Sequence, residues 1–349
     1  MLVNADHAHV TLGRARRIAL AAALTVVGVM VLVSVGCAAF VRPDWERVDY
    51  TSLFNTIYGI TSFPLVSREV PPALVLVWTV LAYAAVAAVV YGLVVGLRRV
   101  VPVRHGKLAA FLLGWGATMV ALLAAAVFFQ GAIGSGYWPG LEPTDWRALF
   151  GAHANGWTLL FGWLGGLAAL VAYHRTRVSD GPPAPRHTGR AFAAAALCAA
   201  VPAALMVVGG LLPLRVESGW PIWLLDFPKP LTSEFLEPAL TMADVLATFA
   251  MALLTLILLT ALLGLALRGA RPSFPGVFVL SWICAFLVTS ALGALHSWVS
   301  LIVQEGSGFS TWNGYSVFDG ATYGIAIGWL AGLVAALVFA GLRRTRFPA

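Results

Sequence analysis

The chain alternates long apolar runs with short polar segments along its whole length. Eight runs are long enough to cross a bilayer, since a crossing takes about 20 residues of α-helix. They lie near residues 18–40, 72–97, 108–133, 156–174, 191–214, 239–268, 276–303 and 321–342. The pattern predicts an all-α, polytopic integral membrane protein with about eight transmembrane helices.

The composition also favours a membrane environment. Hydrophobic residues make up 60% of the 349 residues and charged residues only 11%, whereas roughly a quarter of the residues in a soluble domain are charged. A soluble fold of this size cannot hide so much apolar surface, because a large part of its surface stays in contact with water. The lipid bilayer is therefore the expected partner.

Positive charges gather in every second connection between the apolar runs. These residues are Arg14, Arg16, Arg17, Arg98, Arg99, Arg104, Lys107, Arg175, Arg177, Arg186, Arg190, Arg268, Arg271, Arg343, Arg344 and Arg346. By the positive-inside rule, both termini and these connections are predicted to be cytoplasmic. The net charge of +7 then reflects topology and contact with anionic lipid headgroups, and nucleic acid is not an expected partner.

The first apolar run has an alternative interpretation. It follows the sequence RARR and carries small residues near Cys37, as secretory signal peptides and, loosely, lipoprotein cleavage sites do. The run is long for a signal peptide, and a similar run occurs later in the chain. It is predicted to be a retained helix.

Three sequence similarities suggest that one half of the chain repeats the other. RIALAAAL in the first run is matched by RAFAAAAL in the fifth, and QGAIGSGYWPG after the third by QEGSGFSTWNG after the seventh. GWLGGLAALVAYHRTR in the fourth is matched by GWLAGLVAALVFAGLRRTR in the eighth. The order predicts a tandem duplication of a four-helix unit, residues 1–180 and 185–349. Because four crossings is an even number, both copies enter the membrane in the same direction, an arrangement found among transporters.

The fourth and eighth runs carry the same helix-packing signal. Gly162 and Gly166 stand four residues apart, as do Gly328 and Gly332, each pair with a tryptophan after its first glycine. In lipid, small residues at this spacing let two helix backbones approach closely. These helices are predicted to be close-packed, either each within its own bundle or against each other.

The predicted outer connections are rich in aromatic residues, acids, glycine and proline. Eight tryptophans fall at this level: Trp45, Trp138, Trp146, Trp157, Trp220, Trp223, Trp298 and Trp312. They form either an aromatic belt at the lipid–water boundary or a vestibule for a lipid, a hydrophobic compound or a partner protein.

Ionisable groups within the apolar runs are few, and each is a candidate for function. His296 and Asp244 would form a proton-linked pair if they are neighbours, because a carboxylate favours the charged imidazole. Gln130 and Gln304 precede two matching turns that contain Ser135 and Ser307. Together these six residues are the candidate polar site; the alternative is that they only hydrogen-bond to backbone or solvent near the interface.

The sequence lacks the common motifs of enzymatic chemistry. The sequence has no HExxH, no paired acidic motif, no Walker A motif and no CxxC. Cys37, Cys198 and Cys284 stand singly in apolar segments, and facing histidines for haem are lacking. No enzymatic activity, metal or cofactor is therefore expected, and an ATP-driven role requires a separate ATPase.

These features favour a transport protein or permease subunit for a hydrophobic or amphipathic solute. The alternative is a non-catalytic structural or assembly subunit of a larger membrane complex, with another membrane subunit as partner; an intramembrane lipid-modifying enzyme is a third hypothesis. The Ala-, Val-, Leu-, Gly- and Arg-rich composition is typical of high-GC bacteria, so the plasma membrane is the expected location.

Overall fold

The computed structural model describes residues 11–40, 72–98, 101, 106–133, 157–176, 188–211, 227, 242–268, 273–303 and 311–344. In these ranges the regular structure is entirely helical. The helices are α1 (Leu12–Phe40), α2 (Pro72–Gly96), α3 (Lys107–Ile133), α4 (Gly162–Arg175), α5 (Thr188–Leu211), α6 (Met242–Leu267), α7 (Phe274–Val303) and α8 (Thr311–Arg344). The predicted all-α class is confirmed.

By length and composition, seven helical segments in the described residues are able to cross a membrane. They are Leu12–Val33, Lys107–Ala125, Trp157–Arg175, Ala191–Leu211, Asp244–Leu267, Phe274–His296 and Gly320–Ala340. The second predicted span falls on α2, where Val80–Gly96 is a shorter apolar helix. A multi-pass membrane protein is thus supported with seven candidate spans, and an eighth crossing stays a prediction.

Stripes of exposed apolar side chains follow the helices. On α6, Leu246, Phe249, Leu253 and Ile257 recur at helical spacing and are each at least half exposed. Water penalises such a stripe, whereas lipid chains contact it at no cost. The arrangement is typical of helices that face a bilayer.

The chain forms two compact units. Unit 1 contains residues 1–98 and 110–181, and therefore α1, α2, α4 and all but the start of α3. Unit 2 contains residues 99–109 and 182–349, and therefore α5 to α8. That the units are copies of one repeat, and that both termini are cytoplasmic, stay predictions.

In unit 1, α1 packs against α2 and α4, and α4 also packs against α3. Small residues dominate the buried face of α1, among them Ala15, Ala19 and Ala22, so neighbouring helices come close. The hydroxyl of Tyr83 on α2 lies 3.5 Å from the carbonyl oxygen of Met30 on α1.

In unit 2, α8 packs against α7 and α5, and α6 packs against α5 and α7. α5 carries Pro202 in its interior. A proline there removes one backbone hydrogen bond and its ring clashes with the preceding turn, so the helix bends or weakens at that point.

Candidate functional site

The two predicted glycine pairs lie at helix–helix interfaces within their own units. In unit 1, a β-carbon on Gly162 would lie 2.8 Å from Cδ1 of Trp115, and one on Gly166 would lie 2.7 Å from the carbonyl oxygen of Phe111. Both distances are too short for a real side chain. The α3–α4 interface therefore needs glycine at these positions.

The α7–α8 interface of unit 2 has the same construction. A β-carbon on Gly328 would lie 2.7 Å from Cδ1 of Trp282, and one on Gly332 would lie 2.7 Å from the carbonyl oxygen of Phe278. In each unit, then, one glycine faces an indole ring and the next faces a phenylalanine backbone.

Matching hydrogen bonds fasten the two interfaces. The indole of Trp115 donates to the carbonyl of Thr158 at 2.8 Å, and the indole of Trp282 donates to the carbonyl of Ile325 at 2.9 Å. The ring of Phe111 meets that of Trp115 edge-on at 5.5 Å, and Phe278 meets Trp282 in the same way at 5.6 Å. Each bond gives the indole N–H group an acceptor, which the hydrocarbon of a bilayer cannot supply.

Sequence reasoning missed these aromatic residues, although a signal was present. The third run contains FLLGW and the seventh FVLSW, so Phe and Trp recur four residues apart in both. This spacing places the two rings on one helix face. Among many apolar residues the pattern does not stand out until the partner glycines are known.

The α7–α8 interface continues over two more turns. A β-carbon on Gly324 would lie 2.6 Å from Cα of Phe286, and one on Gly320 would lie 3.2 Å from Cα of Gly293. Four glycines at a spacing of four thus line α8. In lipid, where no hydrophobic force joins helices, such close backbone contact is a main source of association.

Among the described residues, two hydrogen bonds join α5 and α8, one at Pro202 itself and one a turn earlier at Cys198. The Tyr323 hydroxyl on α8 donates to the carbonyl of Pro202 at 2.6 Å. The Cys198 thiol on α5 donates to the carbonyl of Ala331 at 3.1 Å. We call these four residues the Pro202 contact. Both donor side chains are buried.

The Pro202 contact also reaches the connection between α5 and α6. Phe227, a buried residue of that connection, packs its ring against Tyr323 with 5.5 Å between ring centroids. Tyr323 therefore touches α5 at its weakest turn and the α5–α6 connection at once.

The structure brings two of the predicted polar residues into one unit. Asp244 lies in the first turn of α6 and His296 near the end of α7, and each is only 4% exposed. Each takes part in an interaction, so neither is an isolated buried charge. Their pairing with each other stays a prediction.

Most of the remaining polar candidates lie outside the described residues. Gln130 lies on α3, whereas Gln304, Ser135 and Ser307 fall outside the described residues. Of the eight predicted interfacial tryptophans, Trp157 is buried and packs on Phe161 at 4.8 Å. That residue belongs to the helix packing and not to a lipid-facing belt.

The described residues contain no group of three or more His, Cys, Asp or Glu side chains able to hold a metal ion. Cys198 and Cys284 are both buried and free. Unit 2 therefore contains a helix with an internal proline, which packs on the closely packed α7–α8 pair. The same bundle contains a buried carboxyl group, Asp244, and a buried imidazole, His296.

No family model, curated protein or solved structure matches the chain.

Proposed function

We propose that the protein is a transport protein, or the membrane subunit of a permease, for a hydrophobic or amphipathic solute in a bacterial plasma membrane. In this proposal it is a tandem duplication of a four-helix unit with both termini cytoplasmic. The matched α3–α4 and α7–α8 interfaces support the duplication, since the same Phe, Trp and Gly residues meet in the same way in both.

The observation that carries the proposal is the Pro202 contact. A transporter needs a part that moves against a part that does not. The α7–α8 pair, fastened by glycines and an indole hydrogen bond, is the rigid part. In this proposal α5 is the movable part, because proline has removed one of its internal hydrogen bonds; among the described residues, the hydrogen bonds of Cys198 and Tyr323 join it to α8.

The scarcity of buried charge points to the class of solute. Asp244 and His296 are the acidic and basic side chains that are buried among the described residues of the unit 2 spans. An inorganic ion or a sugar would need more polar groups to replace its hydration. A mostly apolar solute with a single polar group needs few, and this pair would bind that group or relay a proton.

The rigid interfaces also fit the alternative of a non-catalytic structural or assembly subunit. A scaffold needs closely packed helices and no moving part. The two proposals differ in one respect: only transport requires α5 to move. An enzymatic role is not part of either proposal.

Native mass spectrometry of the protein purified in mild detergent separates them. A lone chain that carries a lipid or small molecule supports transport, and flux of that molecule is then measured in proteoliposomes for the wild type and for Tyr323→Phe. A stoichiometric ATPase identifies a permease subunit. A stoichiometric protein of another kind, with no small molecule and no flux, supports the scaffold.

A further inference from the structure

Unit 1 contains a buried arginine. Arg14, in the first turn of α1, is only 7% exposed. Its guanidinium donates to the carbonyl of Tyr173 at 2.8 Å and to the hydroxyl of Thr176 at 3.0 Å, and it lies 4.5 Å from the centre of the Tyr173 ring. We call these three residues the Arg14 contact.

The Arg14 contact sets the start of α1 beside the end of α4. A cation is favourable there, because the last carbonyls of a helix lack backbone partners and carry partial negative charge. Arg14 donates to the carbonyl of Tyr173, and the Thr176 hydroxyl donates to that of Ala172 at 2.7 Å, so two of these carbonyls already have side-chain donors.

Further positive charge is nevertheless present. Arg16 and Arg17 follow Arg14 on α1, and His174 and Arg175 lie in the last turn of α4. All four side chains are exposed. We call them the basic cluster. The described residues next to it in sequence, 11–20 and 167–176, contain no acidic side chain that could neutralise it.

Apolar stripes run from the basic cluster into the span. On α1, Arg16 is followed at four-residue intervals by Leu20 and Leu24, which are more than half exposed. On α4, the exposed side chains of Trp163, Leu167 and Val171 lead at the same interval to Arg175. Residues four apart share one helix face, so each stripe has an arginine at its end.

We propose that the basic cluster binds the headgroup of an anionic phospholipid whose acyl chains lie along these stripes. Arginine forms paired hydrogen bonds with phosphate oxygens, and the stripes supply the apolar surface that the acyl chains contact. The Arg14 contact positions the cluster by holding the two helix ends together. A soluble anion would use the arginines but gain nothing from the stripes.

The test measures lipid binding by native mass spectrometry, with phosphatidylglycerol titrated against the full-length protein in neutral detergent. Replacing Arg16, Arg17 and Arg175 together by Gln lowers the affinity about a hundredfold, at roughly fivefold for each arginine near an anionic headgroup. The triple Lys replacement keeps the charge and retains most of the affinity. The matched control is Arg98→Gln at the end of α2 in the same unit, where the guanidinium donates to the carbonyl of Val95; it leaves the affinity unchanged.

Three results would overturn the proposal. The first is equal binding of phosphatidylglycerol by the wild type and the folded Gln variant. The second is equal binding of zwitterionic phosphatidylcholine and phosphatidylglycerol by the wild type. The third is displacement of the lipid by inorganic phosphate at the same concentration, which would show a site for free anions. Folding of both triple variants is checked by circular dichroism, and if the Gln variant is unfolded, the comparison of the two lipids on the wild type decides.

Discussion

Unit 1 and unit 2 share one interface and differ in another. In both, a Phe–Trp helix packs on a glycine helix with the same indole hydrogen bond. Each unit also has side-chain hydrogen bonds between helices that are distant in sequence. In unit 1 Arg14 makes them at a helix end, and in unit 2 Tyr323 and Cys198 make them in the middle of α5. We infer that the Phe–Trp–Gly interface stabilises the fold of both units, whereas the Arg14 contact and the Pro202 contact give the two units different roles.

Among the described residues, each unit also has a helix with an irregular position, but in a different place. In unit 1, α4 begins after a turn at Phe161, and the freed carbonyl of Leu160 accepts the indole N–H of Trp163 at 2.8 Å. In unit 2, α8 is continuous, and α5 is also continuous but carries Pro202 in its interior. The irregularity of unit 1 is repaired locally, whereas α5 of unit 2 accepts a hydrogen bond at its proline from a neighbouring helix. Unit 2 is therefore the one expected to move.

The largest expected effect tests the shared interface. Gly166→Leu and Gly332→Leu each place a side chain against a phenylalanine carbonyl oxygen, so each lowers the free energy of unfolding by about 3 kcal/mol. Gly92→Leu, where a β-carbon meets no atom within 4 Å, is the matched control and leaves it unchanged. Thermal unfolding in detergent measures all three. A large loss for only one of the two interface variants would show that the units do not share this interface.

The next effect tests the contact that is particular to unit 1. Arg14→Gln removes a charge-assisted hydrogen bond to Tyr173 and the contact with its ring, and lowers stability by about 2 kcal/mol. Arg16→Gln, at an exposed position, leaves stability unchanged. Hydrogen exchange at the end of α4 locates the change. An equal loss for both variants would mean that net charge, and not this contact, stabilises the helix end.

A smaller pair of effects tests whether the two shared interfaces are equally stable. Trp115→Phe and Trp282→Phe each keep a ring and lose one indole hydrogen bond of closely similar length. Each is expected to lower stability by about 1.5 kcal/mol. The two losses are compared by the same thermal unfolding measurement. A difference between them larger than either loss contradicts the equivalence of the two interfaces.

The smallest effect separates two tyrosines. Tyr323→Phe removes a short buried hydrogen bond of 2.6 Å and costs about 1 kcal/mol. Tyr83→Phe removes one of 3.5 Å to Met30, a length at which little energy remains, and is expected to cost less than Tyr323→Phe. Equal losses of stability in the two variants would contradict a special role for Tyr323 in unit 2.

The sequence predicted the spans well because lipid imposes one simple requirement, a long run of apolar residues. It predicted helix ends less well: α8 begins at Thr311 and α1 at Leu12, outside the apolar runs at 321–342 and 18–40. Hydropathy marks the part of a helix that suits lipid, whereas backbone hydrogen bonding continues the helix into polar sequence.

The candidate site was predicted only in part, for a physical reason. The glycine pairs were visible because backbone proximity tolerates no other residue. Tyr323, Cys198 and Phe227 were not visible, since their partners lie on other segments and an apolar sequence does not encode which helices meet. Arg14 was counted as one loop charge among many, and its burial against Tyr173 emerged only with the helix positions.

In the proposed function, the part of α5 beyond Pro202 moves while α1 does not. The matched probes are Met206→Cys on α5 and Met30→Cys on α1, since both methionines are fully buried. They are introduced one at a time with Cys37 and Cys284 replaced by Ala and Cys198 by Ser, which keeps a donor to Ala331. Reaction with a membrane-impermeant maleimide is then timed in proteoliposomes.

The expected result is that position 206 reacts severalfold faster than position 30, and that adding Tyr323→Phe accelerates position 206 alone. Equal slow rates at both positions, unchanged by Tyr323→Phe, would contradict it and leave the protein with two rigid bundles.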